Sequence, residues 1–127
     1  MRADVRRGLI AVLAFAAVLA APARAHHSVL QFDGARGVSI EGSVARLHWQ
    51  NPHAVLAIDV PGEDGAVLRW TVESESPLVL ARLGWTEHTV RAGDRVTVLG
   101  APAKDGSRAL RCKQVTLANG RMLPCFP

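Results

Sequence analysis

Val38 to Trp49 reads V-S-I-E-G-S-V-A-R-L-H-W. Val38, Ile40, Gly42 and Val44 alternate with Ser39, Glu41 and Ser43, the period-two pattern of a strand with one covered face. The phase then slips, because the next large apolar residues are Leu47 and Trp49. One extra residue near Ala45, a β-bulge, accounts for a shift of one position and bends the strand. Gly42 within the run predicts a sharp bend or a close backbone approach. A long, bulged, bent first strand suits a small Greek-key barrel, provided that the downstream order agrees.

It does. Gln50-Asn51-Pro52 is turn chemistry, and Ala54, Leu56, Ile58 and Val60 then mark a second strand. Pro61 to Gly65 forms a hairpin loop, followed by a third strand, Val67 to Glu73, with Leu68, Trp70 and Val72 on one face. Ser76 has the chemistry of a helix N-cap and Pro77 suits the first helical position, with Leu78 to Leu83 making a short helix that Gly84 ends. Val96, Val98 and Leu99 mark a fourth strand. In a fifth, Leu110, Cys112, Gln114 and Thr116 alternate with Arg111, Lys113, Val115 and Leu117. Asn119-Gly120 signals a two-residue hairpin into an edge segment at Met122 and Leu123. The order β-β-β-α-β-β plus a terminal hairpin strand predicts an all-β fold with one short helix, a five-stranded OB-like Greek-key barrel over residues 38–127. The competing architecture is an open five-stranded sheet with the helix packed on one face.

Upstream of the barrel lie two segments of different kind. Arg2, Arg6 and Arg7 precede an apolar run, Leu9 to Ala20, and Ala23-Arg24-Ala25 has the A-x-A form of a cleavage site. This is the grammar of a secretory signal peptide over residues 1–25. The apolar run is shorter than the ~20 residues a spanning helix needs, so no membrane span is expected once the signal is cleaved. Arg6-Arg7 hints at twin-arginine export without supporting flanks, and no cysteine follows the run to carry a lipid. Residues 26–37 have no clear period and read as an extended arm. The expected location is periplasmic or secreted.

The whole chain has 127 residues, a net charge of +4 and 49% apolar residues, too apolar for a disordered protein. A basic balance points first to nucleic acid. Four of the fifteen basic residues leave with the signal, however, and residues 26–127 carry eleven Lys and Arg against ten Asp and Glu. That near-neutral domain, together with export, argues against a nucleic-acid partner. Trp49, Trp70 and Trp85 are then core or rim residues rather than a stacking platform.

Five histidines remain. His26 and His27 would be the first two residues after cleavage, where an α-amino group and an imidazole can chelate one metal ion. His48 and His53 bracket the turn between the first two strands, with Trp49, Asn51 and Pro52 between them. In an OB-fold this loop borders the usual binding face. His48, Trp49, Asn51 and His53 are therefore the candidate ligand-binding residues, and His26, His27, His48 and His53 the candidate metal ligands. Imidazole suits copper, nickel or zinc. Against this stands the absence of a His-x-x-x-His or Cys-x-x-Cys spacing, which leaves ordinary surface and turn-capping roles open. His88 reads as a surface residue. Glu73 and Glu75 are a possible carboxylate pair, although a solvated loop is the commoner origin of such a pair. No triad of nucleophile, base and acid stands out, and no catalytic residue is assigned.

Cys112 and Cys125 are the only cysteines, too few for a multi-bridge scaffold. A two-residue turn at Asn119-Gly120 would set Ala118 opposite Arg121, Cys112 opposite Pro127 and Cys125 opposite Gln114. The cysteines then share a face with a diagonal offset near the upper limit for a bridge, and Pro124 and Pro127 permit adjustment. A structural disulfide in an oxidising compartment is favoured over a thiolate metal or redox site.

The motifs together resemble a family of small exported bacterial proteins catalogued as a domain of unknown function 6152. The matching residues are A-H-H-S at Ala25–Ser28, W-Q-N-P-H at Trp49–His53, S-P at Ser76-Pro77, L-G-W-T at Leu83–Thr86 and A-G-D-R-V-T-V-L-G at Ala92–Gly100. K-D-G-S at Lys104–Ser107 and N-G-R at Asn119–Arg121 also fit. The resemblance implies no activity, but it places the His26-His27 pair at the processed end. Two functional classes follow as expectations. One is a small exported, non-catalytic binding module for a small ligand, with the metal as a candidate. The other is a non-catalytic envelope interaction or structural protein that uses a strand edge and the N-terminal arm to hold an envelope partner.

Overall fold

The computed structural model describes residues 31–127, and β1, Val38–His48, is its organising strand. Its first half pairs antiparallel with β4 (Arg95–Pro102), from Val38 opposite Gly100 to Ser43 opposite Arg95. Its second half pairs with β2 (Val55–Pro61), from Ser43 opposite Asp59 to His48 opposite Val55. One strand can serve two partners only if it bends. Two local features bend it. Val44 faces Ile58 and Arg46 faces Ala57, so Ala45 is the extra residue of a bulge, as the phase slip predicts. At Gly42 the neighbouring backbone comes so close that a Cβ would stand 2.3 Å from the Asp59 carbonyl oxygen.

β3 (Val67–Glu73) pairs antiparallel with β2 along its whole length. β5 (Ala109–Leu117) pairs antiparallel with β4. The cylinder closes through a short parallel contact of β3 with β5, in which Thr71, Val72 and Glu73 face Ala109, Leu110 and Arg111. The sheet order β3-β2-β1-β4-β5 returning to β3 is the closed OB-like barrel, and the open sheet is excluded. β6 (Met122–Pro124) adds a sixth strand on β5, beyond the stretch that β3 occupies. Ile40, Val44, Leu56, Ile58, Val72, Val98, Leu110 and Val115 fill the interior.

α1 (Pro77–Arg82) lies between β3 and β4. Ser76 Oγ accepts from the Val79 N–H, and Pro77 opens the first turn. The helix ends at Gly84, with the Gly84 N–H donating to Ala81 O at 3.2 Å and the Trp85 N–H to Leu80 O at 3.0 Å. This is a Schellman cap, and it turns Trp85 inward beside Leu80, both in the core. Trp85 Nε1 donates to Pro124 O at 2.8 Å, tying the helix exit to β6. Trp49 and Trp70 pack partly buried against the same core.

Two local expectations are corrected. The β5 face does not alternate without interruption. Leu99 faces Gln114 while Gly100 faces Cys112, so Lys113 is an extra residue in β5. The bulge puts Leu110, Cys112 and Val115 inside, with Leu117 packed against the core, and leaves Gln114 and Thr116 off that face. The terminal hairpin also has a longer loop. The Leu117 N–H donates to Arg121 O, and Gly120 takes φ of 84°, which makes a three-residue loop of Ala118–Gly120. Gln114 therefore faces Pro124, one position from the expected partner. That slip sets the Cys125 N–H on Lys113 O at 3.1 Å, next to Cys112. Cys112 and Cys125 form the expected disulfide, with Cα atoms 5.6 Å apart.

Two stability measurements check this account. Gly42→Ala forces a methyl group into the Asp59 carbonyl and should lower urea-unfolding stability by about 1–3 kcal/mol, as overpacking does. Gly34→Ala, where a Cβ meets nothing within 4 Å, is the control and should change little. Replacing both cysteines by alanine should cost about 2–4 kcal/mol.

Candidate functional site

The closing rung of the barrel carries a cluster of charge. Val72 and Leu110 point into the core, so their neighbours Glu73 and Arg111 face outward from adjacent strands. Arg111 Nη1 donates to Glu73 Oε1 at 3.1 Å and Nη2 to Glu75 Oε1 at 2.5 Å. His53 Nδ1 lies 3.3 Å from the same Glu73 oxygen. The side chains are largely screened from solvent, with exposures of 18% for Arg111, 21% for Glu73, 25% for Glu75 and 33% for His53. The result is a chain of contacts from Glu75 through Arg111 and Glu73 to His53.

The backbone around it is equally constrained. The Ala54 N–H donates to Glu75 O, and the Ser74 N–H to Ala54 O, fixing the segment after His53 to the segment after β3. Buried Ser74 donates its hydroxyl to Cys125 O at 3.4 Å, so it is occupied in tying down the tail. Glu73 and Glu75 are therefore not a solvated loop pair. They share one guanidinium.

Of the residues singled out in the sequence, the structure brings His53 into this cluster. His48 ends β1 opposite Val55, and Val55 is opposite Glu73, so one strand separates His48 from the cluster. Trp49 packs against the core, while Asn51 is exposed on the β1–β2 loop, preceding a cis peptide bond to Pro52. His88 is exposed beside Glu87. His26 and His27 lie outside the described residues. Among the described residues no group of three or more His, Cys, Asp or Glu side chains is arranged to hold a metal ion.

Arg111 joins the cluster although its sequence position marks it only as one residue of the fifth strand. Its signal was an arginine on an outward position of a strand, with two glutamates at the end of another. Only the parallel contact of β3 with β5 makes them neighbours.

Elsewhere on the barrel, Arg69 grips Asp59 with two hydrogen bonds, Nε to Oδ1 at 2.6 Å and Nη2 to Oδ2 at 2.8 Å. The bond from Arg69 holds the Asp59 carboxyl below the usual aspartate range, and the same bond raises Arg69. Asp59 thus favours the fold above the ordinary aspartate pKa, and this contribution is lost as pH falls through its lowered folded value. In the β4–β5 loop, hydrogen bonds from the Ser107 hydroxyl and then its N–H lower Asp105.

The chain belongs to the Family of unknown function (DUF6152), whose sequence model matches residues 14–111. No curated protein matches it. The cluster from His53 to Arg111 lies within the matched segment, and both cysteines lie beyond it.

Removing the guanidinium would leave two carboxylates facing each other. Arg111→Gln should therefore lower stability by about 1.5–3 kcal/mol, the range for hydrogen bonds to charged groups. The Arg111→Gln/Glu75→Gln pair should recover part of that loss, because it removes the repulsion as well. Arg69→Gln, on an exposed pair, should have the smaller effect in the same urea titration.

Proposed function

We propose that this family member is a small exported binding module, without catalytic chemistry of its own, that holds a transition-metal ion through His53 and His48 together with His26 and His27. Copper, nickel and zinc are the ions that such an imidazole set suits. The observation that carries the reading is the 3.3 Å contact of His53 Nδ1 with Glu73. Metal-binding histidines characteristically give one ring nitrogen to a carboxylate and the other to the metal. Glu73 is itself held by Arg111, and Arg111 by Glu75. His53 is thus oriented by a chain of contacts before any ligand arrives, which lowers the cost of binding.

The arm supports the same reading. Gln31 O accepts from the Lys104 N–H, and Phe32 bridges Ala103, so the described end of the arm is anchored on the β4–β5 loop. Phe32 also lines a cleft shared with Glu75 and Arg111. His27 is five residues from Phe32, a span of at most about 17 Å when extended. Export agrees with the leader grammar of residues 1–25 and with a disulfide, a bond that persists in oxidising compartments.

The second reading, an envelope interaction protein, has an edge to use. β3 pairs with β5 only from Thr71, which leaves Val67–Trp70 open on that side, with Val67 67% exposed. β6 offers less, being three residues long and ending at Pro124.

Calorimetric titration of the processed protein, beginning at an untagged His26, with Cu(II), Ni(II) and Zn(II) tests the first reading. One ion should bind at a single site. Glu73→Gln should weaken it by about 10–100-fold, the usual effect of removing a carboxylate behind a ligating histidine. His53→Ala and the His26→Ala/His27→Ala pair should weaken it further. Equal binding by all these variants, or no binding by the parent protein, would end the metal reading.

A further inference from the structure

A cleft borders the Arg111–Glu75 pair, and neither His53 nor Glu73 lines it. Both ends of the described chain meet over the β4–β5 sheet and leave a cleft of about 340 Å3 between them. Phe32 of the arm and Phe126 of the tail supply aromatic wall, Ala101 the sheet surface, and Glu75, Arg111 and Lys113 the polar border. We propose that this cleft binds a small aromatic monocarboxylate, a flat apolar body with one negative charge.

Three observations carry the assignment. The first is that the chain is tied down beside each wall. The Phe32 side is held by its bridge to Ala103 and by the Asp33 N–H on Pro102 O at 2.8 Å. On the other side, Phe126 follows directly on Cys125, which is bonded to Cys112. Neither wall belongs to the barrel strands, so a cleft formed by them is an addition to the fold rather than a flaw in its packing.

The second is the distribution of polarity. Phe126 is 42% exposed although it borders an apolar hollow, so burying it under a ligand ring is favourable. Its volume falls in the range of about 300–1,000 Å3 typical of small-molecule sites.

The third is charge. Arg111 is matched by Glu75 and Glu73. Lys113 is not: its Nζ donates to the uncharged carbonyls of Gly34 at 3.3 Å and Arg36 at 3.2 Å, and no ion pair among the described residues includes it. An ammonium has three N–H donors, so one stays for a ligand. Glu75 and Arg111 are paired with each other at the cleft border, so the charge left there for a ligand is that of Lys113, which a monoanion matches. The β5 bulge is what adds Lys113 to the strand at this point.

The proposal does not depend on a metal ion, and the test is run with EDTA present to keep the two apart. The purified protein is titrated by calorimetry with 2-naphthoate and, separately, with the neutral analogue 2-naphthylmethanol. The carboxylate should saturate one site, with the alcohol weaker by about tenfold, the worth of one charge-assisted hydrogen bond. Lys113→Gln should abolish that preference, and Lys113→Arg should keep it. Phe126→Ala, at an exposed position that leaves the disulfide in place, should weaken both compounds several-fold. Absence of saturable 2-naphthoate binding would overturn the proposal. So would equal binding of the alcohol, or binding that neither Lys113→Gln nor Phe126→Ala changes.

Discussion

The barrel is closed by three residue pairs. Thr71–Glu73 and Ala109–Arg111 meet in parallel, and without this contact β3 and β5 would be the two edges of an open, strongly twisted sheet. Parallel pairing over so short a length is weak by itself. It holds because what lies on either face of it is well matched. Inside, Val72 and Leu110 are fully buried. Outside, Glu73 and Arg111 are hydrogen-bonded to each other. The apolar pair removes water from the seam, and the charged pair covers it. Further along β5, Gln114–Thr116 are taken by β6, so the edge that β3 leaves unpaired is partly used.

Closure also explains the irregularities. A five-stranded sheet can return on itself only if strands coil sharply and the register staggers. The bulge at Ala45, the glycine against Asp59 and the bulge at Lys113 are where that curvature is made. Ser43, opposite both Asp59 and Arg95, is the residue at which β1 passes from one partner to the other.

These devices differ in how far they can be read from sequence. The bend in β1 was legible because a bulge in a half-buried strand shifts an apolar pattern, and Leu47 and Trp49 are large enough to mark the new phase. The bulge in β5 was not. Gln114 and Thr116 alternate with Lys113 and Val115 in a way that satisfies an unbroken strand, and only the buried partners Val98 and Leu123 decide which set turns inward. The terminal turn failed for a related reason. Asn119-Gly120 fits a two-residue loop, and a three-residue loop ending in Gly120 uses the same glycine. The disulfide was nevertheless expected, because even the two-residue register sets both cysteines diagonally on one face, and the slip of one position only brings them closer. His53 could be named as a site candidate from its place beside a turn. Its neighbours could not, since Glu73, Glu75 and Arg111 are assembled by the closure, a contact between segments some 36–38 residues apart in the chain.

Arg111 consequently has two duties that are hard to separate. It bonds two carboxylates whose mutual repulsion would otherwise oppose closure, and it stands between His53, which lies against Glu73, and the cleft that Lys113 borders. On one side, Glu73 and Glu75 outnumber the guanidinium by one charge, and His53 lies against that excess. On the other, Lys113 supplies a positive charge matched by no carboxylate among the described residues. A cation at His53 and an anion at Lys113 would each meet the favourable sign. Both would also rest on side chains whose positions depend on the barrel being shut. Anything that binds at either place favours the closed form over the open one, in proportion to its affinity for the closed form alone. The seam consists of three residue pairs, so occupancy of either candidate site and closure would reinforce each other.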